Sequence, residues 1–577
     1  MMTKMMFVVL SSFIGITVVI FVSYLIIIVQ SKRKATINIG SSNTQKIKSK
    51  FVQAPGPHPW PLIGNLDIIG RFKNPFNAFG RLTHYYGDIY SLMLGHTRCL
   101  IVNNLVLIRE VLNKNGKFFG GRPDFIRYNK LFGGDRNNSL ALCDWSLLQQ
   151  KRRNLARRHC SPRVTSSYFS KMSQIGSNEI DVLMDKLKDD VAPGKPFDIK
   201  STILKACANM FSQYMCSTRF DYDDLEFQQV VQFFDEIFWE INQGYPLDFL
   251  PWLSPFYKNH TKKICHWSTT IRAFILKRVI NKRELNIDID EPDNDFTDAL
   301  LKSLIEDKNV SRNTIIFMLE DFIGGHSAVG NLVMLALSYI AKDPMIGLRI
   351  QHEVDFTSNN GKRRITLHDM EEMPYTMATI YEVLRYSSSP IVPHVATEDT
   401  KISGYGVTSG TIIFINNYEL NMSQKYWNNP DKFYPERFLE YKCSDGAKVS
   451  KHHEKRRSSD GSDSGIEFEH DSRSVHPQHS HLENLYITRH DHQKCKKLSY
   501  EPLKLQVKKN IPHFLPFSIG KRTCIGQNLV RGFGFVLLAN IIQSYNVNSS
   551  DLSTIHIKPA SVALPAICFP LVLTPRV

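Results

Sequence analysis

The chain has 577 residues, 42% of them apolar and 11% aromatic, and carries a formal net charge of +16. Such a chain buries a sizeable core, which excludes a wholly disordered protein, and its basic balance suits either an acidic partner surface or a solvated face. Its ten cysteines are scattered with no CxxC pair, which argues against a structural zinc site and suits a reducing compartment.

Met5 to Val29 contains no charged residue. As a helix it spans roughly 37 Å at 1.5 Å per residue, enough to cross a ~30 Å hydrocarbon core with some tilt. The apolar region of a cleaved signal peptide is shorter, about 7–15 residues, and ends at a small-residue cleavage site that is missing here. Lys32, Arg33 and Lys34 follow at once, then Lys46, Lys48 and Lys50, which puts that side in the cytosol. Residues 1–30 are therefore read as one uncleaved membrane anchor. Residues 31–62 are a basic tether and proline-rich spacer, and 63–577 are the globular body. In APGPHPWPLIGN, Ala54 to Asn65, four prolines at alternate positions favour stiff extended backbone.

Helical periodicity dominates from Phe76 to Tyr386, with short β-like runs at Ile89–Leu94, Cys99–Val102 and Thr411–Ile415. The body is mostly α with a minor β portion and no internal repeat. Tyr245–Phe256 (YPLDFLPWLSPF) is apolar enough either to dip into a membrane interface or to pack inside. Residues 441–509 hold SSDGSDSG and eight of the twenty histidines, a low-hydrophobicity composition that predicts a disordered insertion.

Phe517 to Gly526 reads FSIGKRTCIG. A lone cysteine such as Cys524 can be a packed apolar residue, a nucleophile or a metal ligand. One thiolate supporting a metal needs the remaining positions filled from elsewhere, which a porphyrin does. Gly520 and Gly526 suit close approach to a flat macrocycle. Backbone N–H groups can tune the sulfur. Arg522 can pair with a carboxylate of the ring, Phe517 can pack on its face, and Gln527–Ile541 continues as a helix.

FxxGxRxCxG, matched at Phe517, Gly520, Arg522, Cys524 and Gly526, resembles the heme-binding signature of the cytochrome P-450 superfamily. EVLR, Glu382–Arg385, resembles the family's ExxR, and PERF, Pro435–Phe438, the segment whose arginine (Arg437) completes a Glu382–Arg385–Arg437 network. IVPHVATEDT, Ile391–Thr400, resembles microsomal members, in which the histidine matching His394 binds a heme propionate. The resemblance implies the cytochrome P-450 fold behind a single N-terminal transmembrane helix, with heme b held by Cys524.

Two departures stand out. The family's central helix carries a small residue, glycine, any residue, an acid and threonine, the last two delivering protons during oxygen activation. Here a helix expected over Asn313–Lys342 reads FIGGHSAVGN in its middle, so Gly324 and Gly325 are followed by His326, Ser327 and Ala328 and the acid–alcohol pair is missing. Gly324, Gly325 and Ser327 are placed over the distal heme face, and His326 is either a proton shuttle or a packed polar residue. The family also sets a basic residue four positions after a tryptophan, both on a propionate. Position 149 is Gln149, so either the motif is shifted and Arg152, seven after Trp145 on the same helix face, is the propionate ligand, or Trp145 is not the motif's tryptophan and Arg152 is one charge among many on a basic helix.

GGHSAVGN together with LPFSIGKRTCIGQNLVRGF looks like the insect Spook type of cytochrome P-450, which is associated with early steps of ecdysteroid (moulting hormone) synthesis from 7-dehydrocholesterol. That resemblance implies a monooxygenase of the endoplasmic-reticulum membrane, its body cytosolic, oxidising a sterol with O2 and electrons from NADPH through cytochrome P-450 reductase. It implies no nucleic-acid partner. Two alternatives stay open: a heme-thiolate isomerase or dehydratase, which the missing acid–threonine pair favours, and a non-catalytic heme or lipid binder.

Overall fold

The computed structural model describes residues 52–72, 74–307, 310–388, 390–442, 504–557 and 561–576, with Ser23 alone ahead of them. The anchor read over residues 1–30, most of the tether and residues 443–503 of the insertion lie outside the described residues.

The longer α-helices are α1 (Pro75–Tyr86), α2 (Leu147–Cys160), α3 (Ser167–Asp190), α4 (Ile199–Cys216), α5 (Leu225–Ile241), α6 (Lys258–Ile275), α7 (Phe296–Glu306), α8 (Arg312–Ile323), α9 (Gly325–Lys342), α10 (Pro344–Ser358), α11 (Pro374–Ser387) and α12 (Gln527–Ser544). The β portion is smaller. Strands β1 (Ile89–Leu94) and β2 (Thr97–Val102) form an antiparallel hairpin. Later strands are β3 (Pro196–Phe197), β4 (His394–Val395), β5 (Thr400–Ile402), β6 (Tyr405–Val407), β7 (Ile412–Ile415), β8 (Leu439–Lys442), β9 (Lys504–Val507), β10 (Tyr545–Asn548) and β11 (Leu571–Pro575). One sheet runs β1-β2-β7-β4, with β2 parallel to β7 and β4 antiparallel to it, pairing His394 with Ile413.

Helix α9 is buried on nearly every side, as its apolar sequence requires, and packs on α4 and α12. With α8 it covers Arg312–Lys342, a stretch long and apolar enough to cross a membrane. However, 83% of that apolar window is buried inside the protein, so it is the core helix. The single helix expected from Asn313 is interrupted at Gly324, where Ser327 N–H reaches back only to the Gly324 carbonyl, at 3.2 Å. A methyl group at Gly324 would lie 3.1 Å from the Phe234 ring, and one at Gly325 would lie 3.0 Å from Phe211. Both glycines thus serve close packing.

Three segments differ from a reading of composition alone. Ala54–Asn65 does not stand free: Ser91 N–H donates to the Pro55 carbonyl at 2.7 Å, and Met93 N–H donates to Asn65 Oδ1 at 2.9 Å, strapping the stretch to β1. Tyr245–Phe256 divides between both of its readings. Leu247 and Leu250 are buried, and Asp248 pairs with Arg127 at 2.7 Å, while Trp252 and Phe256 are exposed. At the insertion, residues 441–442 and 504–507 are strand, because β8 and β9 pair antiparallel with Lys442 opposite Lys504.

A buried polar cluster ties α5 into this frame. Asp235 accepts from Lys200 Nζ at 2.6 Å and from Asn331 Nδ2 at 2.7 Å. Lys200 also donates to the carbonyls of Leu564 and Pro565, and Leu564 N–H donates to Asn331 Oδ1. A buried ammonium and carboxylate are tolerated only when paired in this way.

Candidate active site

A cavity of about 470 Å³ opens between α8–α9, the loop that ends in Cys524, and α5. Its lining is largely apolar, with Phe132, Phe211, Phe234, Phe238 and Ile391 among the contributors. The Cys524 sulfur is enclosed by protein yet open to this space. The loop is closed by Cys524 N–H donating to the Phe517 carbonyl at 2.9 Å. Burial pushes the thiol up, and the Gly526 N–H, Arg153 and Arg531 pull it back.

Phe517, Arg522, Cys524 and Gly526 all line the cavity, and nothing stands within 4 Å of where a Gly526 side chain would begin. Gly520 has a different task from the one its motif suggested. Its φ is +76°, and a Cβ there would lie 2.1 Å from the Leu112 carbonyl oxygen, so the glycine lets the loop pass another backbone.

Three guanidiniums reach the cavity: Arg122, Arg153 and Arg522. Arg522 Nη2 donates to the carbonyls of Gly120 and Cys143, each at 2.6 Å, while Nε and Nη1 are buried without a partner. Arg153 Nη2 donates to the Thr523 carbonyl, and its Nε is likewise unpartnered. Arg122 donates to the carbonyls of Ala141, Val392 and Pro393. Burial and the like charges of Arg522 and Arg153 lower Arg122 to about 9; burial and Arg522 lower Arg153 to about 10. His394 lies beside this group. Its Nδ1 meets the Phe119 carbonyl at 2.7 Å, its Nε2 is buried and unpartnered, and burial with Arg122 drives it well below the ordinary range. Mutually repelling buried cations with spare N–H groups are what a bound group bearing carboxylates would satisfy. An apolar cavity with an open thiol and such a cationic wall fits heme.

Arg152 is not part of this wall. Trp145 precedes α2, whose N-cap is Ser146, so counting helical turns from the tryptophan fails. Arg152 turns to Asn137 and Thr314, and Arg153 takes the inward position. Trp145 lies under the Arg522 guanidinium, 5.5 Å from ring to guanidinium carbon. Gln149 is buried and donates to the Leu140 carbonyl. Arg122 was not singled out in the sequence; GGRPDF gives no local sign that its arginine meets a segment some 270 residues on.

Along the central helices, Gly324, Gly325 and Ala328 line the cavity, whereas His326 and Ser327 do not. His326 is buried edge-on to Phe234, with Nδ1 2.7 Å from the Ile323 carbonyl, and burial lowers it to about 4. Ser327 Oγ lies 3.5 Å from His326 Nε2. The cavity therefore faces Ala328 where an alcohol was absent and takes no side chain from either neighbour.

Glu382 anchors a separate buried network. Arg385 grips it through two bonds of 2.7 and 2.8 Å, and Arg437 Nε donates to it at 3.1 Å. Arg385 also donates to the carbonyls of Asn421 and Pro430, locking that loop onto α11.

Comparison with known proteins agrees with this arrangement. The family model described as Cytochrome P450 matches residues 54–455 and 499–568. Cytochrome P450 307a1 of Drosophila melanogaster is 62% identical over 559 residues, covering 96% of this chain and 95% of the relative. Cytochrome P450 1A1 of Canis lupus familiaris is 31% identical over 408 residues, covering 67% and 75%. The human protein of that name is 29% identical over 400 residues, covering 67% and 77%. The chain belongs to the cytochrome P-450 family and is a monooxygenase of that family.

Proposed function

We propose that this cytochrome P-450 oxidises a sterol intermediate of ecdysteroid biosynthesis, on the cytosolic side of the endoplasmic-reticulum membrane, with electrons from NADPH passed through a reductase. The observation that carries the reading is the apolar cavity into which both the Cys524 sulfur and the FIGGHSAVGN helix open. The Spook-type resemblance of that helix supports the pathway.

Cys524 would hold heme through its thiolate, and Arg122, Arg153, Arg522 and His394 would hold its propionates. Heme bound through a thiolate would supply the O2 activation. The remaining work belongs to the chain. Phe132, Phe234 and Phe238 exclude water and favour an apolar substrate. Gly324 and Gly325 bring backbone to the cavity wall. Ala328 contributes no proton there, so ordered water would have to relay it.

Met5–Val29 would anchor the protein. Exposed Trp60, Leu62, Trp252 and Phe256 support a second contact with the membrane interface. The basic helix α2, with exposed Lys151, Arg157 and Arg158, suits an acidic reductase.

The test combines purified protein, reductase, NADPH and a sterol panel under 18O2, with products read by mass spectrometry. Incorporation of one labelled oxygen into a sterol, dependent on NADPH, is expected. Conversion without NADPH would favour the isomerase or dehydratase reading, which the Ala328 wall keeps in view.

A further inference from the structure

The apolar cavity also takes two acids, adjacent on α8: Glu320 and Asp321. Asp321 is fully claimed, accepting from Leu140 N–H and from Ser139 Oγ at 3.1 and 3.2 Å. Glu320 is not. Among the described residues its side chain has one hydrogen bond, a long 3.4 Å contact from Arg272 Nη1 to Oε2. Arg272 is held elsewhere, by the Leu131 carbonyl at 2.7 Å and by Ser268 at 3.2 Å. Glu320 therefore keeps hydrogen-bonding capacity apart from the spare N–H groups of Arg153 and Arg522, which a heme would claim.

Its position gives that capacity a use. Glu320, Gly324, Ala328 and Leu332 recur every fourth residue and all line the cavity, so they share one face of the α8–α9 run. Eight residues of helix rise about 12 Å, which separates Glu320 from Ala328 by roughly the length of a fused ring system.

We infer that Glu320 is the specificity-determining anchor of the cavity, its carboxyl hydrogen-bonding a hydroxyl group on an otherwise apolar, ring-fused substrate. The inference rests on the sterol reading above. Burial, reinforced by Asp321 and opposed by Arg272, pushes Glu320 up to about 8, which favours the protonated carboxyl. A neutral carboxyl both donates to and accepts from a hydroxyl, and it places no net charge in apolar surroundings. A purely structural partner of Arg272 would affect every ligand alike, whereas an anchor separates ligands by their hydroxyl.

The full-length hemoprotein is titrated with 7-dehydrocholesterol and with its 3-deoxy analogue, following the heme absorption shift on binding. Wild type should prefer the hydroxyl sterol by about tenfold or more, as polar sites reject analogues that leave their groups unpaired. Glu320→Leu should weaken the hydroxyl sterol by about that factor and leave the deoxy sterol within about twofold, while Glu320→Gln should keep the preference. Equal weakening of both sterols by Glu320→Leu, or of neither, overturns the inference alone. So does a wild type that binds both equally, a result that needs no variant. A wild type that binds no sterol overturns the sterol reading and this anchor together.

Discussion

The backbone N–H of Cys524 donates to the carbonyl of Phe517 at 2.9 Å, closing the loop on which both residues line the cavity. The thiol is thus presented by loop geometry. Cys524→Ala should still fold, and its reduced carbon monoxide complex should lack the thiolate-type absorption band. A variant that keeps the band would remove Cys524 as ligand.

Arg122 and Arg152 offer a contrast within one experiment. A charge-assisted hydrogen bond contributes about 1.5–3 kcal/mol, so Arg122→Met should speed heme loss to an excess acceptor by roughly tenfold or more. Arg152→Met, which alters a side chain outside the cavity, should stay within about twofold of wild type. The rate of heme transfer, followed by absorbance, reads both.

Ser327 and His326 are turned from the cavity, so Ser327→Ala should leave the ratio of NADPH consumed to product formed unchanged. Ala328→Thr adds a hydroxyl to the cavity wall and should lower the NADPH consumed per product formed. His326 carries a separate pH signature. Its folded value, about 4, lies below the ordinary 6.5. As pH falls from 6.5 to 4 the unfolded chain takes up a proton that the folded chain refuses, so stability is lost across that window, by at most about 1.4 kcal/mol per pH unit. His326→Phe should flatten this slope in thermal unfolding measured at pH 4.5 and 6.5.

Glu382→Ala would leave Arg385 and Arg437 facing each other without their shared carboxylate. Removing one partner of a buried pair costs about 3–5 kcal/mol. Yield of heme-loaded protein should collapse, whereas Glu372→Ala, which breaks the exposed pair with Lys504, should change little.

Lys442 and Lys504 are cross-strand partners, so a tight turn can join them directly. Replacing residues 443–503 with a short Gly/Ser linker should leave heme content and the carbon monoxide spectrum unchanged. Loss of heme would show that the excised segment takes part in the body.

Local chemistry made part of this site legible. FSIGKRTCIG, EVLR and PERF each confine their message to a few neighbouring residues: Phe517, Arg522, Cys524 and Gly526 line one cavity, and Arg385 and Arg437 share Glu382. The misreadings arise where distance or phase decides. Arg153 faces inward and Arg152 does not because α2 begins after its Ser146 cap, a boundary that shifts the helical phase by one residue. Arg122 needs the carbonyls of Val392 and Pro393, and no window of sequence contains both. His326 invites a chemical role by type, yet the interruption at Gly324 and the Phe234 ring set it behind the wall. Gly520 signals a special backbone correctly, but the neighbour it accommodates is Leu112, four hundred residues earlier.

The Lys200–Asp235–Asn331 cluster imposes an order on biosynthesis. Lys200 and Asp235 emerge from the ribosome more than three hundred residues before Leu564 and Pro565, whose carbonyls complete the ammonium's shell. Until then the ammonium lacks its two carbonyl partners, and α5, which carries Phe234 and Phe238, is not tied to the segment at 564–565. Translation must therefore pass position 565 before the substrate chamber can close, and a nonsense codon anywhere before position 564 would leave its roof unfastened.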